Sequence, residues 1–249
     1  MSAQVTLFDL ASNDGKGCWS PYTWKVRLCL NYKQIPYETK FIEYPAVNPT
    51  LEQLNIPTND PSVAHGYKYS IPCARLPDGT YTMDSIAICR RLETFYPPIP
   101  TLSPPSLRFD DPITEKITKL VNDFDGPLAP NFMFPCSEIL NAESRKYFDQ
   151  KRSADYGKSL KALLDEDGGE KAWAKAKPAM DGIAELLQKN DRGPFLLGFA
   201  PCYADFIIVA FIEFLRRLDE RLFERVTKHH QAFEELYEAC TFLLDRKRD

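Results

Sequence analysis

The chain has 249 residues, 44% of them apolar and 27% charged, with a formal net charge of -4. That length accommodates one large domain or two small ones around a sizeable core, and the composition is ordinary for a soluble globular protein. An acidic balance, with Lys and Arg scattered rather than gathered into a stripe, argues against nucleic acid and against anionic membrane surfaces as partners.

The longest apolar segment, residues 206–215, is too short to span a bilayer and carries Glu213. The first residues lack the basic and apolar regions of a signal peptide, so a cytoplasmic protein is expected. Cysteines fall at positions 18, 29, 73, 89, 136, 202 and 240, with no C-x-x-C and no Cys/His pairing at metal spacing. No metal site is expected. Most of these thiols are expected to be buried and free, acting as small hydrophobes, with Cys18 set apart by its loop context.

Taken in order, residues 5–10 form a β-prone run and 11–18 a loop rich in turn formers. Ser20-Pro21 then starts a helix, Ser being a good N-cap and Pro favoured at N1. Trp24, Leu28 and Tyr32 mark its buried stripe, broadened by Val26 and Leu30. Residues 37–44 alternate as a second strand and complete a β-α-β unit. Residues 45–70 hold Pro45, Pro49, Pro57 and Pro61, with a brief helical stretch around 51–54. Such long irregular segments tend to be functional or mobile.

Residues 71–96 organise the rest. A strand over 71–76 opens on Ile71-Pro72, a turn follows at 77–79, a second strand at 80–83, and a helix begins at Asp84-Ser85. Proline donates no N–H to a ladder and belongs at a strand's first residue, which leaves the backbone of Ile71 free to bind something extended. Asp84 and Ser85 sit where a helix exposes orphan N–H groups and partial positive charge. A small peptide with a carboxylate suits that pairing.

Beyond a stiff Pro-rich run at 97–105, strand-like alternation gives way to helical spacing. Helices are expected around 112–124, 142–164, 170–189, 203–218 and 228–246, with Pro127, Pro130 and Pro135 interrupting the continuation of the first. Asp205, three residues after Cys202, suggests a capping box in which cysteine replaces the usual hydroxyl, at a cost of about 1 kcal/mol. His229 and His230 are expected to be solvated surface.

Through residues 18–27 (CWSPYTWKVR), Ile71-Pro72, Asp84-Ser85 and 193–206 (GPFLLGFAPCYADF), the chain resembles the cytosolic glutathione transferases over nearly its whole length. It is most similar to the serine-type enzymes of fungal classes related to bacterial β-etherases. The resemblance implies an α/β plus all-α fold: a thioredoxin-like glutathione-binding domain at 1–97, a linker at 98–107, and an all-helical domain at 108–249 carrying a hydrophobic substrate site. It implies glutathione as cosubstrate, a homodimer, and transfer of glutathione to small hydrophobic, aromatic electrophiles, as in detoxification.

In that picture Ser20 lies by the glutathione sulfur, Ile71-Pro72 pairs with the cysteinyl backbone, and Asp84-Ser85 holds the γ-glutamyl end. Lys68 and His65 are candidates for the glycyl carboxylate. Tyr22, Phe124 and Phe132, with Phe134 and Tyr203, are candidates for the hydrophobic wall, ordinary core packing being the plainer reading of each. Only a thiolate is a good nucleophile, so a hydroxyl donor and a helix N-terminus at Ser20 suit the task. Cys18 and Tyr22 are alternative neighbours of the sulfur, and Tyr69 is expected to pack at the edge. Two other functions stay open: a non-catalytic carrier (ligandin) of polyphenol-like molecules, and a glutathione-dependent reductase or ether-cleaving enzyme.

Overall fold

Val5–Leu10 (β1) is buried at every residue, as a central strand covered on both faces must be. A computed structural model describes residues 4–59, 67–100 and 103–244, and in it β1 lies between two neighbours. Tyr37–Ile42 (β2) pairs with it in parallel, and Cys73–Arg75 (β3) pairs antiparallel on its other side; Tyr81–Met83 (β4) completes the order β2-β1-β3-β4. The parallel pair requires a crossover, supplied by Pro21–Tyr32 (α1). Beneath it the Arg27 guanidinium lies 3.6 Å from Asp9, both side chains nearly inaccessible.

Strand β2 ends at Ile42, short of the expected 44, because Tyr44–Ala46 turns into a 3-10 helix that leads directly into Val47–Gln53 (α2). Ser85–Phe95 (α3) then packs on α1.

The remaining elements are helical: Pro112–Glu138 (α4), Ala142–Tyr156 (α5), Leu160–Asp167 (α6), Glu170–Gln188 (α7), Tyr203–Leu218 (α8), Glu220–Thr227 (α9) and Gln231–Leu244 (α10). Three differences from expectation have physical causes. Helix α4 runs straight through Pro127, Pro130 and Pro135. The burial of Ile117, Val121, Phe124, Leu128, Phe132 and Cys136 along one stripe outweighs the backbone bonds those prolines remove. The expected 142–164 helix is two, because Gly157 takes φ 69 and Ser159 restarts the chain by accepting the Ala162 N–H at 3.2 Å. Helix α9 was not expected, since only Leu222, Val226 and Thr227 of its charged sequence are buried. His229 lies between α9 and α10, its Nε2 2.8 Å from Asp181 of α7, and is therefore a tether rather than free surface.

Helix α8 is buried from 203 to 215 and runs between α1 and α4. Such an all-round apolar helix serves as a core in its own right. Its start is held by Asp205, whose carboxylate accepts the N–H groups of Leu196 at 2.9 Å and Cys202 at 2.8 Å. Among the described residues, no helix is long and apolar enough to cross a membrane.

Asp205→Ala strips two buried N–H groups of their acceptor and should lower the unfolding free energy by roughly 2–4 kcal/mol. Cys202→Ser, which restores a hydroxyl cap, should raise it by about 1 kcal/mol. Urea denaturation followed by far-ultraviolet circular dichroism measures both.

Candidate functional site

Sheet register brings the three candidate segments to one edge. Phe8 of β1 lies opposite Cys73, and Cys73 opposite Met83. The outgoing end of β1, the start of β3 and the end of β4 therefore lie side by side. From that edge depart the loop to Ser20, the Ile71-Pro72 pair and the Asp84-Ser85 pair.

Ser20 caps α1 in extended conformation, φ -66 and ψ 128, and its carbonyl accepts the Trp24 N–H at 3.0 Å. Its side chain makes no cap hydrogen bond although the residue is only 3% exposed. A near-buried hydroxyl at a helix N-terminus is thus left available to a ligand. The Ile71-Pro72 peptide is cis, and the β3 ladder begins only at Cys73, so Ile71 stays outside it.

Asp84 caps α3, accepting the Ala87 N–H at 3.0 Å from a backbone at φ 72, a region that favours glycine. A non-glycine residue held there costs about 1–3 kcal/mol, a kind of strain that concentrates at ligand sites. Ser85 is buried, and its hydroxyl accepts from the Tyr203 hydroxyl of α8 at 3.4 Å.

Near this edge, charged groups of α1, α4 and α5 gather close enough to act on one another, and the space they border is the candidate cleft. Lys25 of α1 lies 4.5 Å above the Tyr22 ring. Burial lowers the Lys25 ammonium, opposed by Asp84, Cys89 and Asp125. Burial pushes the Asp125 carboxyl of α4 up to about 6, against the pull of Lys25 and Arg152. Burial also raises the Tyr22 hydroxyl, helped by Asp125 and countered by Arg152. Arg152 of α5 donates to the Tyr67 hydroxyl at 3.1 Å and to Asp155 at 3.0 Å. Among the described residues, no hydrogen bond or ion pair satisfies Asp125.

The structure redistributes the expected site residues. Tyr22 is 55% exposed and stands in the cleft. Phe124 and Phe132 do not line it: both are buried edge-on against Phe211, and Phe132 also against Phe214, because their side of α4 faces α8. Phe134 is half-buried against the core, and Tyr203 is buried at the Ser85 contact. Lys68 is exposed and paired to Glu52 at 2.6 Å; Tyr69 is buried. His65 lies outside the described residues. Cys18 points inward, its thiol 3.8 Å from the Ser20 carbonyl and bonded to Asp9.

Sequence reasoning missed Lys25, Asp125 and Arg152. Asp125 carried one signal, an acid beside Phe124 in a proline-interrupted helix; Lys25 and Arg152 carried none. Two surface cavities, of about 540 and 680 Å³, lie elsewhere, between α3 and the start of α4, around Arg90, Phe109 and Asp110.

Comparison with known proteins gives consistent matches. The family model described as "Glutathione S-transferase, N-terminal domain" matches residues 19–94, and "Glutathione S-transferase, C-terminal domain" matches 117–241. The glutathione S-transferase-like protein ustS of Aspergillus flavus is 30% identical over 220 residues, 84% of this chain and 78% of that protein. Among solved structures, glutathione transferase GSTFuA2 of Phanerochaete chrysosporium is 27% identical with a TM-score of 0.83, covering 100% of both chains. CsGST63524 of Ceriporiopsis subvermispora, solved in complex with glutathione, is 25% identical with a TM-score of 0.84, covering 99% of this chain and 100% of that one.

The unsatisfied carboxyl at 125 has a measurable cost. Its acidity in the fold, about 6 against an ordinary 3.8, means that the folded chain binds an extra proton between those values. Stability from this group is therefore full below the lower value and lost as pH rises through the upper one. Asp125→Asn should be more stable than wild type by about 1–3 kcal/mol at neutral pH and no different at the acid end of that window. Denaturant titrations across the range check the convergence.

Proposed function

The chain belongs to the glutathione S-transferase family, and on that premise we propose that it transfers glutathione to small hydrophobic, aromatic electrophiles, with Ser20 stabilising the thiolate. The observation that carries this reading is the Ser20 hydroxyl itself, nearly buried, at the head of α1, and free of the cap bond its position invites. On this reading the tripeptide lies along Ile71-Pro72, where its cysteinyl backbone exchanges hydrogen bonds with the open backbone of Ile71. Its γ-glutamyl end lies at Asp84-Ser85, beside the N-terminus of α3. Lys68 is the candidate for the glycyl carboxylate, in competition with its partner Glu52.

The chemistry follows from charge. The thiol proton passes to solvent, and the Ser20 hydroxyl and the α1 N-terminus stabilise the sulfur anion left behind. That anion attacks an electrophilic carbon, a carbon–sulfur bond forms, and the electron pair leaves with the departing group or moves into the acceptor's π system. Tyr22 supplies an exposed aromatic face for the acceptor in the cleft. The serine-type assignment, the division at 1–97, 98–107 and 108–249, and assembly as a homodimer belong to the same reading. Light scattering that finds only monomer over a wide concentration range counts against the last.

Ser20→Ala tests the reading. Loss of a donor to the anion favours the neutral thiol, so the apparent pKa of bound glutathione should rise by about one unit, slowing conjugation of chlorodinitrobenzene at neutral pH about tenfold. Glutathione affinity, measured by calorimetry, should change little in that variant and weaken in Ser85→Ala. An unchanged thiol pKa with lowered thermal stability makes Ser20 a helix cap only. Tight binding of aromatic ligands without turnover in wild type makes the protein a carrier.

A further inference from the structure

The loop that delivers Ser20 is held from outside its own half of the chain. Asn13 in that loop donates its backbone N–H to the Ile139 carbonyl at 2.8 Å and its side-chain amide to the Leu140 carbonyl at 3.1 Å, just past the end of α4. Arg217, in the last turn of α8, reaches the other end. Its Nε donates to the Cys18 carbonyl at 3.0 Å, and its two terminal nitrogens lie 3.2–3.3 Å from the Asp14 carboxylate. The Arg217 side chain is 7% exposed. Asp14 in turn gathers the loop, accepting from the Ser12 hydroxyl at 2.9 Å and the Lys16 N–H at 3.1 Å. Gly15 and Gly17, at φ 64 and 77, permit the turn between them.

Less than one turn before Arg217, the Phe214 ring meets Trp19 at 6.5 Å. Helix α8 thus grips the two residues immediately preceding Ser20, one by its carbonyl and one by its ring. A guanidinium suits this task because its rigid fork fixes direction as well as charge. A residue that only joined two halves of a protein has no need of a backbone carbonyl two residues from a ligand-binding hydroxyl.

We propose that Arg217 is a positioning residue: by clamping the Cys18 carbonyl and Asp14, it fixes where the Ser20 hydroxyl meets the glutathione sulfur. The inference rests on the role proposed for Ser20. A hydrogen bond to sulfur weakens steeply with misdirection, and small displacements of reacting geometry carry large costs in rate. The helical half therefore contributes to thiol activation through a residue that touches neither substrate. The other charges around the cleft, Lys25 on α1, Asp84 before α3, Asp125 on α4 and Arg152 on α5, are left in place when Arg217 is replaced.

The test uses the full chain with reduced glutathione, titrating the ultraviolet absorbance of the bound thiolate in wild type, Ser20→Ala, Arg217→Ala, Arg217→Lys and the Ser20→Ala/Arg217→Ala double variant. Arg217→Ala should raise the bound-thiol pKa by about half a unit or more, which is a rate loss of threefold or more at neutral pH, with rates converging in alkali. Glutathione affinity should stay within about twofold, since the peptide is held at Ile71 and Asp84-Ser85 rather than at the sulfur. Arg217→Lys should fall between, and the double variant should show no pKa beyond that of Ser20→Ala. If Ser20→Ala shifts the pKa and Arg217→Ala does not, Arg217 is only an interface residue and the inference is overturned. If Ser20→Ala leaves the pKa unchanged, the role of Ser20 falls first and this inference with it. Should Arg217→Ala fail to fold, Arg217→Lys decides alone, and an unshifted pKa in it overturns the proposal.

Discussion

The contact between α1 and α8 is the constraint on which the rest of the molecule depends. Helix α8 is enclosed on all sides from 203 to 215, so it cannot slide without opening the interior. Each of its large side chains contributes about 1.5–3 kcal/mol through burial. Besides Asp205 it buries a second acid, Glu213, met by the Arg216 fork at 2.7 and 2.9 Å and by the Tyr237 hydroxyl at 2.5 Å, which ties α10 to the same rod. From this fixed helix three contacts reach the ligand edge: Tyr203 to Ser85, Phe214 to Trp19, and Arg217 to Cys18. The β/α half carries the candidate site residues, and the helical half contacts them from α8.

Surroundings separate two buried acids more clearly than acidity does. Burial pushes Asp205 and Asp125 alike to about 6. Asp205 is answered by two backbone N–H groups and anchors a helix start. Asp125 has no such backbone partner, and two cations, Lys25 and Arg152, oppose its rise. A carboxyl kept at a cost to the fold, offset only by those two cations and by no hydrogen bond among the described residues, is the kind of group an apolar substitution would improve if stability alone mattered.

What was legible in the sequence was what local chemistry dictates. Ser-Pro starts a helix wherever it falls, a Pro at a strand's head frees the residue before it, and Asp-Ser marks a helix start whatever lies beyond. These gave the β-α-β unit, the segments that the sheet brings to one edge, and the change to an all-helical half. Decisions made by tertiary packing were hidden. Three prolines within α4 read as breaks because the stripe that compensates them meets its partner only in α8. Phe124 and Phe132 read as core or as pocket wall alike, because periodicity shows that a face is apolar without saying what it faces. Arg217 reads as one more charge at a helix end, and its partner at position 14 lies far away in the chain.

All seven cysteines are buried, and none is in a disulfide. Burial raises the thiols of Cys73 and Cys202 to about 12 and pushes those of Cys89, Cys136 and Cys240 up as well. A catalyst that gathers electrophiles beside a sulfur anion must survive its own reagents, for any accessible thiolate of the chain competes for the same carbon. Here the chain's own sulfurs are out of reach, while on the function proposed above a visiting sulfur would be offered a donor and a helix end. Under the proposed transfer, protection of the chain from alkylation by its own electrophiles would be a property of the interior rather than of the site.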